Sequence, residues 1–332
     1  MSRGTFGRAP EWNHTHMRIG YALSSEEHGP RELVEQARRA QDAGFEALWI
    51  SDHFHPWNDE QGHSPFVWAT IGALSQAVTL PVTTAVTCPI RRIHPAFVAQ
   101  AAATCAVLTE GRFVLGVGTG EALNEHILGD PWPEVDVRLE MLEEAVMLMR
   151  KLWDGGVVSH RGTHYRVQDA RIYTLPPQRP QVYVSGFGHK SQATAARIGD
   201  GFITTKPDRE GIARFHGGGG AGKPVQGQLK VCWDRDRDRA VATVHRLWPN
   251  ELLPGQLAQE LAYPWLFEQA AELVSKEMVR ESPIPMGADV DEHVQAIRKA
   301  GCDEVYVGQI GTADEDFFTA YEREVLPAVR AA

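Results

Sequence analysis

Cysteine is scarce in this chain. Cys88, Cys105, Cys232 and Cys302 are the only four among 332 residues, and none forms a Cys-x-x-Cys pair. That spacing removes the common zinc and dithiol frameworks and fits buried, reduced thiols in a cytoplasmic protein. No run of 18 apolar residues is present, so no membrane-spanning helix is expected. Basic runs of five or more are also missing, and the formal net charge is -10, which argues against a nucleic-acid surface. No G-x-S-x-G elbow signals a serine hydrolase. No Gly-Lys-Ser/Thr completes a phosphate loop, and no metal-ligand spacing stands out. His14 and His16 are a weak metal pair in the leader at best.

What is present is enough apolar material for a large core, 43% of residues, with 23% charged, as in a globular domain. The first 16 residues lack an apolar signal core and read as a flexible leader, with the fold beginning at Met17. From there short apolar or β-branched runs alternate with amphipathic helices. The strand runs are Met17–Leu23, Phe45–Ser51, Pro81–Thr87, Gly111–Gly116, Gln181–Val184, Asp200–Thr204, Gln226–Trp233 and Glu304–Gln309. Eight such units predict a parallel sheet closed into a (β/α)8 TIM barrel over 17–330, with an open doubly wound sheet as the rival. Two stretches break the rhythm. One, near 155–175, reads as a hairpin, and the other, near 249–288, holds helical pieces. "HGGGG", beginning at His216, reads as a flexible loop.

In a TIM barrel the chemistry collects where the strands end. "SSEE" after the first strand offers Glu26, with a helix cap as the bland alternative. "SDHFHPW" after the second offers His53, a proton acceptor suited to neutral pH, with Asp52, His55 and Trp57 beside it. "VTCPIRRIHP" after the third places Ala85, Val86 and Cys88 where backbone can meet a flat ligand; Arg91 and Arg92 read as surface charges. "GVGTGEALNE" after the fourth alternates glycines that admit close approach to the backbone and supplies Glu121 as a candidate acid. Its spacing is not the dinucleotide fingerprint, because Glu121 stands where the last glycine belongs. "VSGFGHKS" places Gly186 and Gly188 before a helix, an arrangement that holds anions. A base, an acid and an anion cradle on one face point to redox chemistry with a bound organic cofactor.

Taken together, "SDHFHPW", "GHSPF", "GVGTGEALNE" and "GDGF" resemble the luciferase-like barrel superfamily. Within it they resemble the glucose-6-phosphate dehydrogenases that use coenzyme F-420, a deazaflavin. The resemblance runs from Met17 to Val329 and is densest up to Thr205. It implies that His53 takes the substrate's hydroxyl proton while hydride passes to the deazaflavin. Trp57, Glu121 and Glu26 would assist it. Asp52, Gly118 and Asn124 would contact the cofactor. Ala85, Val86 and Cys88 would support its ring through a bulge with a non-proline cis bond, and Ser185, Gly186 and Gly188 would hold its phosphate. Thr205, Lys206, Lys276 and Arg280 are the candidates for the substrate. The chain departs from the sugar-phosphate pattern in the spacing of Lys206, in Phe187 within the phosphate loop, and in an aromatic group of Trp248, Tyr263, Trp265 and Phe267. Those aromatics read first as packing; as pocket lining they would suit a less polar alcohol or ketone. The resemblance also implies a homodimer. An FMN-dependent monooxygenase of the same superfamily is the alternative, and a non-catalytic cofactor carrier is a third reading.

Overall fold

The computed structural model describes residues 17–331; the expected leader, with His14 and His16, lies outside the described residues. Ten strands form in order: β1 (Arg18–Leu23), β2 (Leu48–Ile50), β3 (Val82–Thr84), β4 (Phe113–Val117), β5 (Val158–Arg161), β6 (Arg166–Ala170), β7 (Gln181–Ser185), β8 (Gly201–Thr204), β9 (Val225–Val231) and β10 (Glu304–Gln309). Eight of them close a parallel barrel, each hydrogen-bonded to its neighbours in the order β1-β10-β9-β8-β7-β4-β3-β2. The remaining two, β5 and β6, pair as an antiparallel hairpin outside it. Closure excludes the open doubly wound alternative.

The helices are α1 (Pro30–Asp42), α2 (Val67–Ala77), α3 (Pro95–Leu108), α4 (Ala122–Glu125), α5 (Val135–Trp153), α6 (His189–Ile198), α7 (Arg209–Phe215), α8 (Arg237–Leu247), α9 (Leu257–Glu260), α10 (Pro264–Ala271), α11 (Lys276–Arg280), α12 (Val290–Lys299), α13 (Glu315–Ala320) and α14 (Leu326–Arg330). Pro30 and Pro95 open α1 and α3, where a missing N–H costs nothing. Asp208, Asp236 and Asp289 cap α7, α8 and α12 through their side chains, satisfying helix-start N–H groups that otherwise lack partners.

Alternation along the strands divides the core in two. Ile19, Leu48, Ile50, Val82, Leu115, Val182, Phe202, Val225 and Val305 face the helix ring. Ala22, Ala47, Trp49, Val114, Tyr183, Ile203 and Tyr306 fill the barrel, as period-two strands require. Trp49 stacks on Tyr306 with ring centroids 4.6 Å apart, and its Nε1 donates to Gln226 Oε1 at 2.8 Å. This plug seals the barrel, and everything above it belongs to the mouth.

"HGGGG" corrects an expectation. It is an ordered turn, His216–Gly220, that follows directly on α7 and kinks at Gly219, where φ is +111. His216 Nδ1 lies 3.0 Å from the Gly220 carbonyl oxygen. A side chain at Gly220 would strike the Phe215 ring, 2.6 Å from where its Cβ would stand. Gly220 serves close packing, which composition alone does not distinguish from flexibility.

Candidate active site

His53 follows β2 on the same inward register as Trp49 and Ser51, which brings it to the barrel mouth. Its Nε2 lies 3.4 Å from Glu26 Oε1, and both side chains are nearly buried. The other oxygen of Glu26 accepts from the Ser51 and Ser24 hydroxyls at 2.7 and 3.1 Å. Neither Ser24 nor Ser25 caps α1, as the alternative reading of "SSEE" has it; Gly29 stands at that position. The Ser51 and Ser24 hydroxyls fix the carboxylate so that its free oxygen faces the imidazole.

The far side of the ring is held from α4. Asn124 Oδ1 accepts from the backbone N–H groups of Phe54 and His55 at 2.8 and 3.2 Å. That orients the carboxamide and turns its Nδ2 to His53 Nδ1 at 3.1 Å. The carbonyl oxygen of His55 lies 3.2 Å from the same ring nitrogen. Nδ1 thus has a donor and an acceptor beside it, so either neutral tautomer finds a partner. The Trp57 ring lies 5.1 Å from His53 and meets the edge of Phe267 at 5.1 Å on its other side.

Asp52 points away from His53 into a buried ion group. Its Oδ1 pairs with Arg92 Nη2 at 2.9 Å, and its Oδ2 accepts from the Thr87 hydroxyl at 2.7 Å. Arg92 N and Nε reach Glu125 at 2.8 and 3.5 Å. Burial opposes the charge of Arg92, but the two carboxylates outweigh it and hold the guanidinium above its usual range. Glu125 is pushed up to about 6, chiefly by burial, against the pull of Arg92. This corrects the reading of Arg92 as a surface charge. Its side chain is only 6% exposed, and it ties the loops after β2, β3 and β4 together. Charge spacing alone gave no sign of the triad, although Glu125 closes the quoted "GEALNE" motif.

Between these loops lies bare backbone. The Ala85–Val86 peptide is cis, as the resemblance implies. Ala85 and Val86 pack on the barrel plug. A Cβ on Gly118 would stand 2.9 Å from Val86 Cγ2, and one on Gly120, at φ +71, would meet Cys88 Sγ at 2.6 Å. Cys88 itself is buried, so its thiol backs the loop. Glu121 begins α4 and its carboxylate has no hydrogen-bond or ion-pair partner among the described residues. After β7, Gly186 is packed against Ser191, 2.7 Å from the place of a Cβ. Gly188 stands at the start of α6 with extended backbone; its N–H donates to Ser191 Oγ at 3.0 Å. Ser185 ends β7 at the same rim. A flat ring against the glycine-lined backbone and an anion at the start of α6 both fit these surfaces.

The predicted substrate residues divide. Thr205 and Lys206 follow β8 at the mouth. Lys206 Nζ, however, reaches the carbonyl oxygen of Glu251 at 3.2 Å and its carboxylate at 3.7 Å. Lys276 and Arg280 lie exposed on α11, and Arg280 pairs with Asp238 at 2.8 Å. Neither bonds to the His53 group. The structure adds two residues that the motifs did not flag. Lys230, inward on β9, donates to Glu251 Oε1 at 2.7 Å and lies 4.2 Å from the Trp248 ring centroid. Glu27 accepts from Trp248 Nε1 at 2.5 Å and Gly311 N at 2.6 Å; burial pushes its carboxyl up to about 7. Phe267 is buried and Trp265 half exposed, and Tyr263 meets His126 edge-on at 4.6 Å. The aromatic segment divides: Phe267 backs Trp57 in the interior, and Tyr263 and Trp265 stack on each other at the surface.

The model of the family described as luciferase-like monooxygenase matches residues 15–304. This chain belongs to that family. Within it the relatives are specific. The luciferase-like chain is 35% identical to an F420-dependent glucose-6-phosphate dehydrogenase of Amycolatopsis mediterranei, covering 95% of itself and 99% of the relative. It is 37% identical to the protein of the same name in Kribbella flavida, over 95% and 98%. Among solved structures it resembles an F420-dependent secondary alcohol dehydrogenase in complex with an F420-acetone adduct. That likeness has a TM-score of 0.87 and 32% identity over 95% of this chain and 99% of that one.

Proposed function

We propose that this protein is a coenzyme F420-dependent oxidoreductase that interconverts an alcohol and a carbonyl compound. The observation that carries the reading is His53, held between the Glu26 carboxylate and the Asn124 carboxamide beside a bare-backbone surface. When bound, the deazaflavin supplies the chemistry of hydride transfer at the substrate carbon.

The chain's own residues manage the proton. In the tautomer that suits Asn124 and Glu26, Nδ1 accepts from Asn124 Nδ2 and Nε2–H donates to Glu26 Oε1. In the other, which donates Nδ1–H to the His55 carbonyl oxygen, Nε2 carries the lone pair and accepts the proton of the substrate hydroxyl. The imidazolium so formed keeps Nδ1–H on His55 and presents Nε2–H to Glu26 Oε1, 3.4 Å away. In the reverse direction the same proton returns to the carbonyl oxygen. Trp57 walls the ring on one side and keeps water from it. Glu121, without a hydrogen-bond or ion-pair partner among the described residues, is assigned to the cofactor ring or the substrate as an acid. Ala85, Val86 and Gly118 would support the ring, and Ser185, Gly186 and Gly188 its phosphate. Asp52 and Cys88 shape these loops from behind.

The proposal extends to a homodimer in the cytoplasm. The dimer rests on resemblance; the compartment is supported by four free, buried thiols. Among the described residues no helix is long and apolar enough to cross a membrane.

The test is a fluorescence titration of the purified protein with oxidised F420 and, separately, with FMN. Micromolar or tighter binding of F420 alone, followed by its reduction with a secondary alcohol or a sugar phosphate, is expected. Preference for FMN with oxygen consumption would replace the reading with a monooxygenase. Tight F420 binding with no turnover would leave a carrier.

A further inference from the structure

Sugar phosphates and simple alcohols differ by two negative charges, and the mouth of this barrel holds the means to tell them apart. Gln226, Gln228 and Lys230 alternate along β9 on the inward face. Gln226 bonds to Trp49 and Tyr306 within the plug, so Gln228 and Lys230 stand successively above it. Lys230 is the cation that a phosphate at the mouth would meet from β9, and Lys206 the one from the end of β8. One carboxylate reaches both: Lys230 closely and out of solvent, Lys206 at longer range with its side chain 57% exposed. Glu251 Oε1 accepts from Lys230 at 2.7 Å, and Glu251 Oε2 lies 3.7 Å from Lys206 Nζ. Lys230 is also roofed by the Trp248 ring and accepted by Gln228 Oε1 at 3.3 Å. Its side chain is 12% exposed, so it is not free to swing out. Burial disfavours ionised Glu251, yet Lys230 and Lys206 overcome that and hold its carboxyl below the usual range.

The surroundings agree. Trp248 belongs to an apolar cluster with Leu253 and Phe267, against which Trp57 and Leu252 pack. The carboxylates Glu26, Glu121 and Glu251 outnumber the ammonium groups Lys206 and Lys230. A dianion entering here would meet cations already paired with Glu251 and the carboxylate of Glu121, which has no partner among the described residues, and would have to shed its hydration against aromatic walls.

We propose that Glu251 determines specificity: by masking Lys206 and Lys230 it fits the mouth to an uncharged secondary alcohol or ketone and turns phosphorylated sugars away. This rests on the oxidoreductase reading of the site.

The experiment compares wild type, Glu251→Gln, Lys206→Met and Lys230→Met as full-length proteins. Each is first titrated with F420 and melted thermally. Failure of wild type to bind F420 counts against the oxidoreductase reading and is seen before any sugar is added. Glucose 6-phosphate is then titrated calorimetrically into each F420-saturated protein, and turnover of 2-propanol and of glucose 6-phosphate is followed by loss of deazaflavin absorbance. Wild type should favour the neutral alcohol. Removing one unit of opposing charge near the protein surface should tighten glucose 6-phosphate on Glu251→Gln by about tenfold or more. If Glu251→Gln does not fold, the lysine variants decide. Masked lysines predict that neither Lys206→Met nor Lys230→Met weakens glucose 6-phosphate binding relative to wild type. Wild-type binding of the sugar phosphate that is at least as tight as in Glu251→Gln, or that falls on removing either lysine, overturns the proposal.

Discussion

Asn124 gives its carboxamide oxygen to two backbone N–H groups of the loop that carries His53 and its nitrogen to the His53 ring at 3.1 Å. One side chain therefore sets both the path of that loop and the environment of the imidazole. Asn124→Ala leaves the Phe54 and His55 amides without their partner, at a cost of about 1–3 kcal/mol for each if water cannot replace it. We expect a lower melting temperature and a fall in kcat of about 10- to 100-fold, with F420 affinity little changed. A raised Kd with unchanged kcat would instead make Asn124 a cofactor contact.

His53→Ala removes the proposed proton acceptor and leaves the glycine-lined backbone intact. F420 should bind as in wild type while turnover falls by about 10²- to 10⁴-fold, the usual worth of a positioned general base. Fluorescence titration alongside steady-state rates checks both halves. Near-normal turnover would take the proton chemistry away from this residue.

Gly188→Asp separates folding from binding. Gly188 has φ -94 and ψ 166 at the start of α6, a conformation open to any residue, and the nearest atom to an added Cβ is 3.9 Å away. Aspartate is a good helix cap, so thermal stability should hold or rise. The same carboxylate would repel a phosphate bound there, and the Kd for F420 should increase by at least about tenfold. Unchanged affinity would remove this loop from the cofactor site.

Arg92→Met strands Asp52 and Glu125 in the protein interior. Losing one member of a buried ion group costs about 3–5 kcal/mol, which urea unfolding at pH 8 would register. The loss has a pH dependence of known sign. Glu125 is raised to about 6 even with Arg92 present, so the folded state holds its proton at pH values where the unfolded chain has released it. Its ionisation therefore erodes stability as pH rises from the ordinary carboxylate range through 6. Without the guanidinium that erosion deepens. The gap between wild type and variant should be smallest near pH 5 and widest at pH 8; a gap that does not vary with pH would mean that Arg92 acts by packing alone.

The barrel was legible because its signals are local. Eight apolar runs at strand length, separated by helices with proline or aspartate at their starts, admit few arrangements, but an open doubly wound sheet fits the same count and only the pairing of β1 with β10 closes the barrel. His53, Glu26 and Asn124 were legible as motif positions. Their relation was not, because the contacts join residues 27 and 71 positions apart and depend on two serine hydroxyls and an amide orientation. Arg92 was misread because nothing in "PIRRIHP" says which arginine turns inward. Lys230 and Glu251 stood outside every motif. Strand alternation places Lys230 inward, but its carboxylate partner comes from a segment whose path no periodicity predicts. "HGGGG" misled for the opposite reason: glycine signals both slack and tight packing, and only the Phe215 ring decides between them.

Phe267 sets its ring edge against Trp57, and Trp57 lies beside His53. The segment over 249–288 thus forms the back wall of the reaction site. A chimera that grafted a relative's version of this segment onto the barrel would import a new support for Trp57 and a new occupant at the position of Glu251 together. Substrate preference should therefore travel as a cassette, with the proton machinery after β1, after β2 and on α4 left where it is.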